Sequence, residues 1–184
     1  MKAGRASLQI THMTLMVNAV LFQIGWFACV LGAARGLPWI GPLAAVAIIG
    51  WHLAHAARPE RELALIAAAA LLGALFETLL VQMGWVRFET GVLVEGTAPS
   101  WMVALWAIFA TTLNVSLRSL RPHRWLAALL GAIGGPVAYY AGARLGALEF
   151  AAAGAALAAI GIGWGILTPA LLGAARRLDG YAQP

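Results

Sequence analysis

The sequence predicts an all-α, polytopic membrane protein, a six-transmembrane-helix bundle with its N- and C-termini on the cytoplasmic side. Three observations carry this. Of 184 residues, 62% are hydrophobic and 10% charged, whereas a soluble domain is roughly a quarter charged. Apolar windows of ~20 residues, the length that crosses a bilayer, recur along the whole chain and leave one integral membrane domain over 1–184. Finally, Lys and Arg gather on alternate connections between those windows.

The first window, 13–34, follows Lys2 and Arg5 and ends in the small-residue run "LGAA", as a secretory signal does. A signal's apolar core is ~7 to 15 residues; this uncharged run is longer, so it is expected to stay as the first helix. Five more windows follow at 38–57, 63–86, 100–117, 125–143 and 150–175, each taken as long enough to span. "RGLP", "RPERE", "RSLRPHR" and "ARLGALE" punctuate them, and only the 87–99 connection is long. The N-terminus, second loop, fourth loop and C-terminus hold nine Lys and Arg, the opposite side only Arg35, Arg87 and Arg144. Short loops rich in these residues stay in the cytoplasm. The net charge of +5 is then explained by topology and anionic headgroups; no basic, aromatic-interleaved helix points to nucleic acid.

Trp39, Trp85 and Trp101 fall near the expected outer interface and Trp125 near the inner one, where indole rings anchor helices. Trp26, Trp51, Trp106 and Trp164 lie deeper and read as packing or as a ligand wall. Cys29, the single cysteine, reads as a small core residue.

Helices in lipid associate by close approach at small residues. Gly131, Gly135, Tyr139, Gly142 and Gly146 share one face of the fifth helix, and Gly161 and Gly165 one face of the sixth. Asn18, Gly25 and Gly32 recur along the first; Gly73, Glu77 and Gly84 form a stripe on the third. "NAVLFQIGW" at Asn18 and "ETLLVQMGW" at Glu77 align without gaps, and the same offset sets His55 against Asn114. This would make a parallel two-helix repeat.

The candidate site residues come from the polar groups among these stripes. Glu77 is the one acidic residue well inside a span, where an ionisable group costs ~2.5 to 3.5 kcal/mol. It reads as a protonatable carboxylate, as a partner for a cationic substrate group, or as a hydrogen-bond donor tying helices together. Thr111, Asn114 and Arg118 share a face of the fourth helix, with Arg118 expected to snorkel to the interface rather than reach inward to a carboxylate or a lipid phosphate. Asn18 and Tyr139 complete the expected polar interior. His52 and His55 of "HLAH" share a face, but two ligands fall short of a metal site, and no cofactor is expected. No G-x-S-x-G elbow or glycine-rich phosphate loop is present, so familiar soluble catalytic templates are excluded.

"NAVLFQIGWFACVLGAARGLPWIGP", "PSWMVALWAIFATTLNVSLRSL" and "LLGAIGGPVAYYAGARLGALE", in this order, resemble an uncharacterised proteobacterial family of small polytopic inner-membrane proteins. The resemblance implies a bacterial cytoplasmic-membrane location and no assigned activity. It also implies that the Glu77 position holds a carboxylate, more often aspartate followed by "SLL", and that members are encoded beside fatty-acyl-modifying enzymes. The leading expectation is therefore a protein that binds or moves a hydrophobic or amphipathic small molecule or lipid. Alternatives are an accessory subunit holding a lipid-modifying enzyme at its basic loops, through Arg121 and Arg124, and an intramembrane enzyme.

Overall fold

The computed structural model describes residues 12–181. Six α-helices make up the body: α1 (His12–Ala34), α2 (Ile40–His55), α3 (Pro59–Gln82), α4 (Ser100–Leu113), α5 (Arg124–Arg144) and α6 (Ala153–Arg177). A short 3-10 turn (Arg118–Leu120) follows α4, and two dipeptide strands, β1 (Val86–Arg87) and β2 (Glu149–Phe150), pair antiparallel. The fold class is all-α as expected.

Four helices, α1, α3, α5 and α6, are long and apolar enough to cross a membrane. Helices α2 and α4 are shorter than expected, with 16 and 14 residues. At 1.5 Å per residue they reach about 24 and 21 Å, short of the ~30 Å hydrocarbon core. For α4 the expected end at 117 overran the helix: Leu113 is its last residue, and Val115 and Leu117 stay apolar while the backbone leaves the helix. Likewise α3 stops at Gln82, Val86 is a strand residue, and Phe150 belongs to β2 rather than to α6.

Helix α4 is the centre of the bundle. It packs against α1, α2, α3 and α6, while α1 also pairs with α2 and α5 with α6. Eleven of its residues are buried, including Trp101 and Trp106. The outward faces of the long helices are apolar at helical spacing: Met16, Val20 and Ile24 on α1, Leu71, Leu75 and Leu79 on α3, Ile133 and Val137 on α5, Ile162 and Ile166 on α6. Water would not tolerate such a continuous apolar belt on a monomer; hydrocarbon does.

Close approach occurs where the glycine stripes lie. A Cβ on Gly131 would run into the Trp164 carbonyl, and one on Gly135 would sit 2.7 Å from the Trp164 ring, so α5 meets α6 at backbone distance. Gly73 lets the Trp106 indole lie directly on α3. The stripes end sooner than expected. Gly84 and Gly146 lie beyond their helices, with φ of 67° and 88°, and both are exposed. This also removes the structural basis for the proposed repeat in its first half: Gly25 is buried inside α1, whereas its sequence partner Gly84 turns the chain out of α3.

Residues 83–99 fold back over one end of the bundle. Thr90 donates to the Ala33 carbonyl (3.0 Å), the Trp101 indole donates to the Thr90 carbonyl (3.1 Å), and Gln82 donates to the Gly96 carbonyl (2.8 Å). Trp101 is thus a core residue, not an interface anchor. Trp39 and Trp125 are exposed, Trp125 at 90%, and Trp85 is half-buried. Cys29 is fully buried against Gly41.

Candidate functional site

The expected single polar interior is three separate arrangements. The first is small: Asn18 donates to the Thr111 carbonyl (3.2 Å) and accepts from the Ser116 hydroxyl (2.7 Å). The Thr111 hydroxyl itself bonds back to the Ile108 carbonyl, 2.7 Å away, within its own helix. These groups splice α1 to the end of α4.

The second arrangement contains Glu77 and Tyr139. Glu77 is fully buried on α3. Its Oε1 accepts from the Trp106 indole (2.9 Å) and from the Tyr139 hydroxyl; its Oε2 has no partner. Among the described residues, no Lys, Arg or His forms an ion pair with it. Trp106 in turn stacks on Trp164, with centroids 4.5 Å apart, and Phe109 meets Trp164 edge-on at 5.1 Å. The sequence puts Tyr139 and Glu77 on small-residue stripes that face neighbouring helices, and it reads Trp106 and Trp164 as packing or as a ligand wall.

Tyr139 and Trp164 also form the wall of a cleft of about 350 Å³ between α1 and α5, floored by α4. Phe22 and Trp26 of α1, Trp101 and Phe109 of α4, and Leu130, Gly134 and Val137 of α5 line it. Leu130, Gly134 and Val137 are exposed, so the cleft opens on the flank of the bundle. Two buried polar atoms on its wall lack hydrogen-bond partners, Trp164 Nε1 and Thr168 Oγ1. The Trp164 N–H lies near the Tyr139 phenol without closing a hydrogen bond. Ligand pockets combine this size with apolar walls and few polar groups.

The third arrangement sits at the end of the bundle where α2, α3, α4 and α6 terminate or begin. Its hub is Glu62, which the sequence puts in the charged "RPERE" connection. Pro59 starts α3, and acidic residues in a first turn complement the helix dipole; Glu62 then points inward and is fully buried. Its Oε1 accepts from Asn114 Nδ2 (2.5 Å) and from the Gly180 amide (2.7 Å), and its Oε2 faces His52 Nε2 (2.8 Å). Asn114 also accepts from Arg121, which donates to Asp179 at 2.8 Å; Arg118 pairs with the same carboxylate at 2.9 Å. Arg118 therefore reaches inward to a carboxylate instead of snorkelling. The Tyr181 hydroxyl donates to the His52 carbonyl (2.8 Å) and sits 3.2 Å from its Nδ1. Burial, then the charge of Glu62, pushes the Tyr181 phenol up. Burial alone would raise the Asp179 carboxyl, but hydrogen bonding and charge from Arg121 and Arg118 hold it below the usual range. Only glycine fits at 180, where a Cβ would lie 2.6 Å from Glu62 Cγ.

His55 does not join His52. It bonds the Trp51 carbonyl (2.8 Å) and packs on the Trp51 ring, 4.4 Å between centroids. Among the described residues, no three His, Cys, Asp or Glu side chains converge as metal ligands would.

A family model described as "Protein of unknown function (DUF2878)" matches residues 15–170. The chain belongs to this family. The resemblance to an uncharacterised family is thereby confirmed, and DUF2878 brings no activity with it. The cleft, Glu77 and Glu62 lie inside the matched DUF2878 region; Asp179, Gly180 and Tyr181 follow it. No curated protein and no solved structure matches the chain.

Proposed function

We propose that this protein crosses a bacterial inner membrane with all six helices, both termini cytoplasmic, and holds a hydrophobic or amphipathic small molecule, a lipid or lipid-like compound, in the cleft between α1 and α5. The cleft carries the reading. Aromatic rings would hold an acyl or ring system, while the Trp164 N–H and the Thr168 hydroxyl offer hydrogen bonds that the protein itself does not use. Tyr139 ties that wall to Glu77 behind it, so a polar group arriving at the wall would be felt at the carboxyl. An opening on the flank favours entry from the bilayer rather than from water. The charge asymmetry of the connections favours the cytoplasmic termini, with the two short helices accommodated by local thinning of the bilayer.

A purely scaffolding subunit gives no reason for such a cleft, and Arg121, one of the two arginines expected to dock an enzyme, is engaged within the fold. Native mass spectrometry of protein extracted in mild detergent tests the reading. Wild type should carry a lipid-sized adduct, and Gly134→Leu should not. A Cβ at Gly134 meets nothing within 4 Å, so the leucine fills the cleft mouth without disturbing the walls. An adduct that survives this substitution unchanged sinks the proposal.

A further inference from the structure

A second concavity lies at the Glu62 end of the bundle and shares Arg121 with the network just described. It is a groove of about 610 Å³ between the start of α5 and the last turns of α6. Arg121, Arg124, Arg176 and Arg177 line it together with Pro169 and Gly173; no carboxylate does. Arg121 forms the inner wall. Its two terminal nitrogens are committed to Asp179 and Asn114, and its buried Nε–H has no partner. Arg124, Arg176 and Arg177 are exposed, and none makes a salt bridge among the described residues.

Helix electrostatics accounts for part of this. Arg176 and Arg177 occupy the last turn of α6, where a cation complements the dipole. Arg124 is the first residue of α5, where a cation opposes it. Four guanidinium groups around one hollow repel each other, and Asp179 is already shared by Arg118 and Arg121. An anion in the groove would relieve that repulsion. Guanidinium forks match phosphate oxygens in pairs, which makes arginine the residue of choice for phosphate.

We propose that this groove is a binding site for a phosphate-bearing anion, and specifically for the headgroup of an acidic phospholipid. The depth favours a lipid over free phosphate. Trp125, 90% exposed, follows Arg124 directly, and Leu126 and Leu129 continue an exposed apolar face down α5. An indole marks the headgroup level, and basic pockets between membrane helices at that level take acidic headgroups. The site is separate from the α1–α5 cleft and stands or falls independently of it.

The test is native mass spectrometry of the full chain titrated with dioleoylphosphatidylglycerol or dioleoylphosphatidylcholine, each with and without millimolar inorganic phosphate. Wild type should take up one phosphatidylglycerol in preference to phosphatidylcholine, and inorganic phosphate should not displace it. Gly173→Trp leaves the charge unchanged and fills the groove, since a Cβ at Gly173 meets nothing within 4 Å; it should abolish the preference. Arg124→Gln, Arg176→Gln and Arg177→Gln together should weaken uptake by about fivefold per arginine. Removing three charges elsewhere, Arg35→Gln, Arg87→Gln and Arg144→Gln, should leave it intact. Equal losses in the two triple variants, or a preference that persists in Gly173→Trp, would overturn the site. Displacement by inorganic phosphate would overturn the lipid assignment and give the groove to free phosphate.

Discussion

Glu62 and Glu77 lie on the same helix, about 22 Å apart along its axis, and both are fully buried. Their surroundings differ. Glu62 has both oxygens engaged, by an asparagine, a backbone amide and a histidine, and each partner comes from a different segment. Glu77 has two donors on one oxygen and none on the other, and among the described residues no cation pairs with it. A carboxyl whose valences are filled by the fold is a clamp. One with a free oxygen, next to a cleft whose wall also has spare donors, has capacity left for something that is not the fold.

The comparison can be broken by mutation, and the largest effect should fall on Glu62. Glu62→Ala strands His52, Asn114 and the Gly180 amide in a buried site, and loss of one partner from a buried network typically costs ~3 to 5 kcal/mol. Thermal unfolding in detergent should show a lowering of the midpoint well beyond that of Asp179→Asn or Glu77→Gln; a melt like wild type would remove Glu62 from its role as hub.

Asp179 comes next. Asp179→Asn weakens two arginine contacts at the edge of the same network, for about 2 kcal/mol given the partial exposure of Arg118. Because the folded carboxyl titrates below its ordinary value, its stabilisation is complete above the unfolded value of about 3.9 and disappears as the pH falls below that toward the folded value. Wild type should therefore lose stability more steeply than Asp179→Asn on acidification through this range. Parallel pH profiles would show that the pairing contributes nothing.

Glu77→Gln should cost about 1 kcal/mol or less. The amide oxygen can still accept from Trp106 and Tyr139, and the amide nitrogen takes the place of an oxygen that had no partner. Tyr139→Phe removes one donor from Glu77 and should also cost about 1 kcal/mol. If the cleft reading holds, both variants change which lipid co-purifies while melting close to wild type. A melt as damaged as that of Glu62→Ala would make the Glu77 site a second clamp. The smallest effect on stability belongs to Gly134→Leu, within about 0.5 kcal/mol as an exposed substitution, and circular dichroism melting would register any larger shift.

Why one of these carboxyls was legible in the sequence and the other was not follows from what hydropathy measures. Glu77 interrupts an apolar window, so its cost of burial is visible at once, and the glycine spacing points it at a neighbouring helix. Glu62 stands among Arg58, Glu60 and Arg61, a composition that reads as solvent; only the folded end of the bundle shows that Glu60 and Arg61 are exposed and Arg58 half-buried, while Glu62 turns in. Its partner segment, Leu178 to Tyr181, carries no periodicity at all. Helix number and class were readable because apolar windows report them. The ends of α3 and α4 were not, because Val86, Val115 and Leu117 remain apolar after the backbone has left the helix. Arg118 was misread for the same reason: its expected position assumed a helix that had already ended, and its partner Asp179 lies 61 residues further on.

The Gly180 amide bonds a carboxylate 118 residues earlier in the chain, and this has a consequence for how the protein is made. Glu62 and His52 are synthesised long before the segment that completes their bonding. During that interval the junction of α2 and α3 is held by fewer bonds than in the finished bundle, and the arrival of residues 178–181 works as a closing stitch. Assembly is thus closed from what our proposed topology makes the cytoplasmic side, and a ribosome stalled before that stretch would leave α1 to α6 made but unfastened.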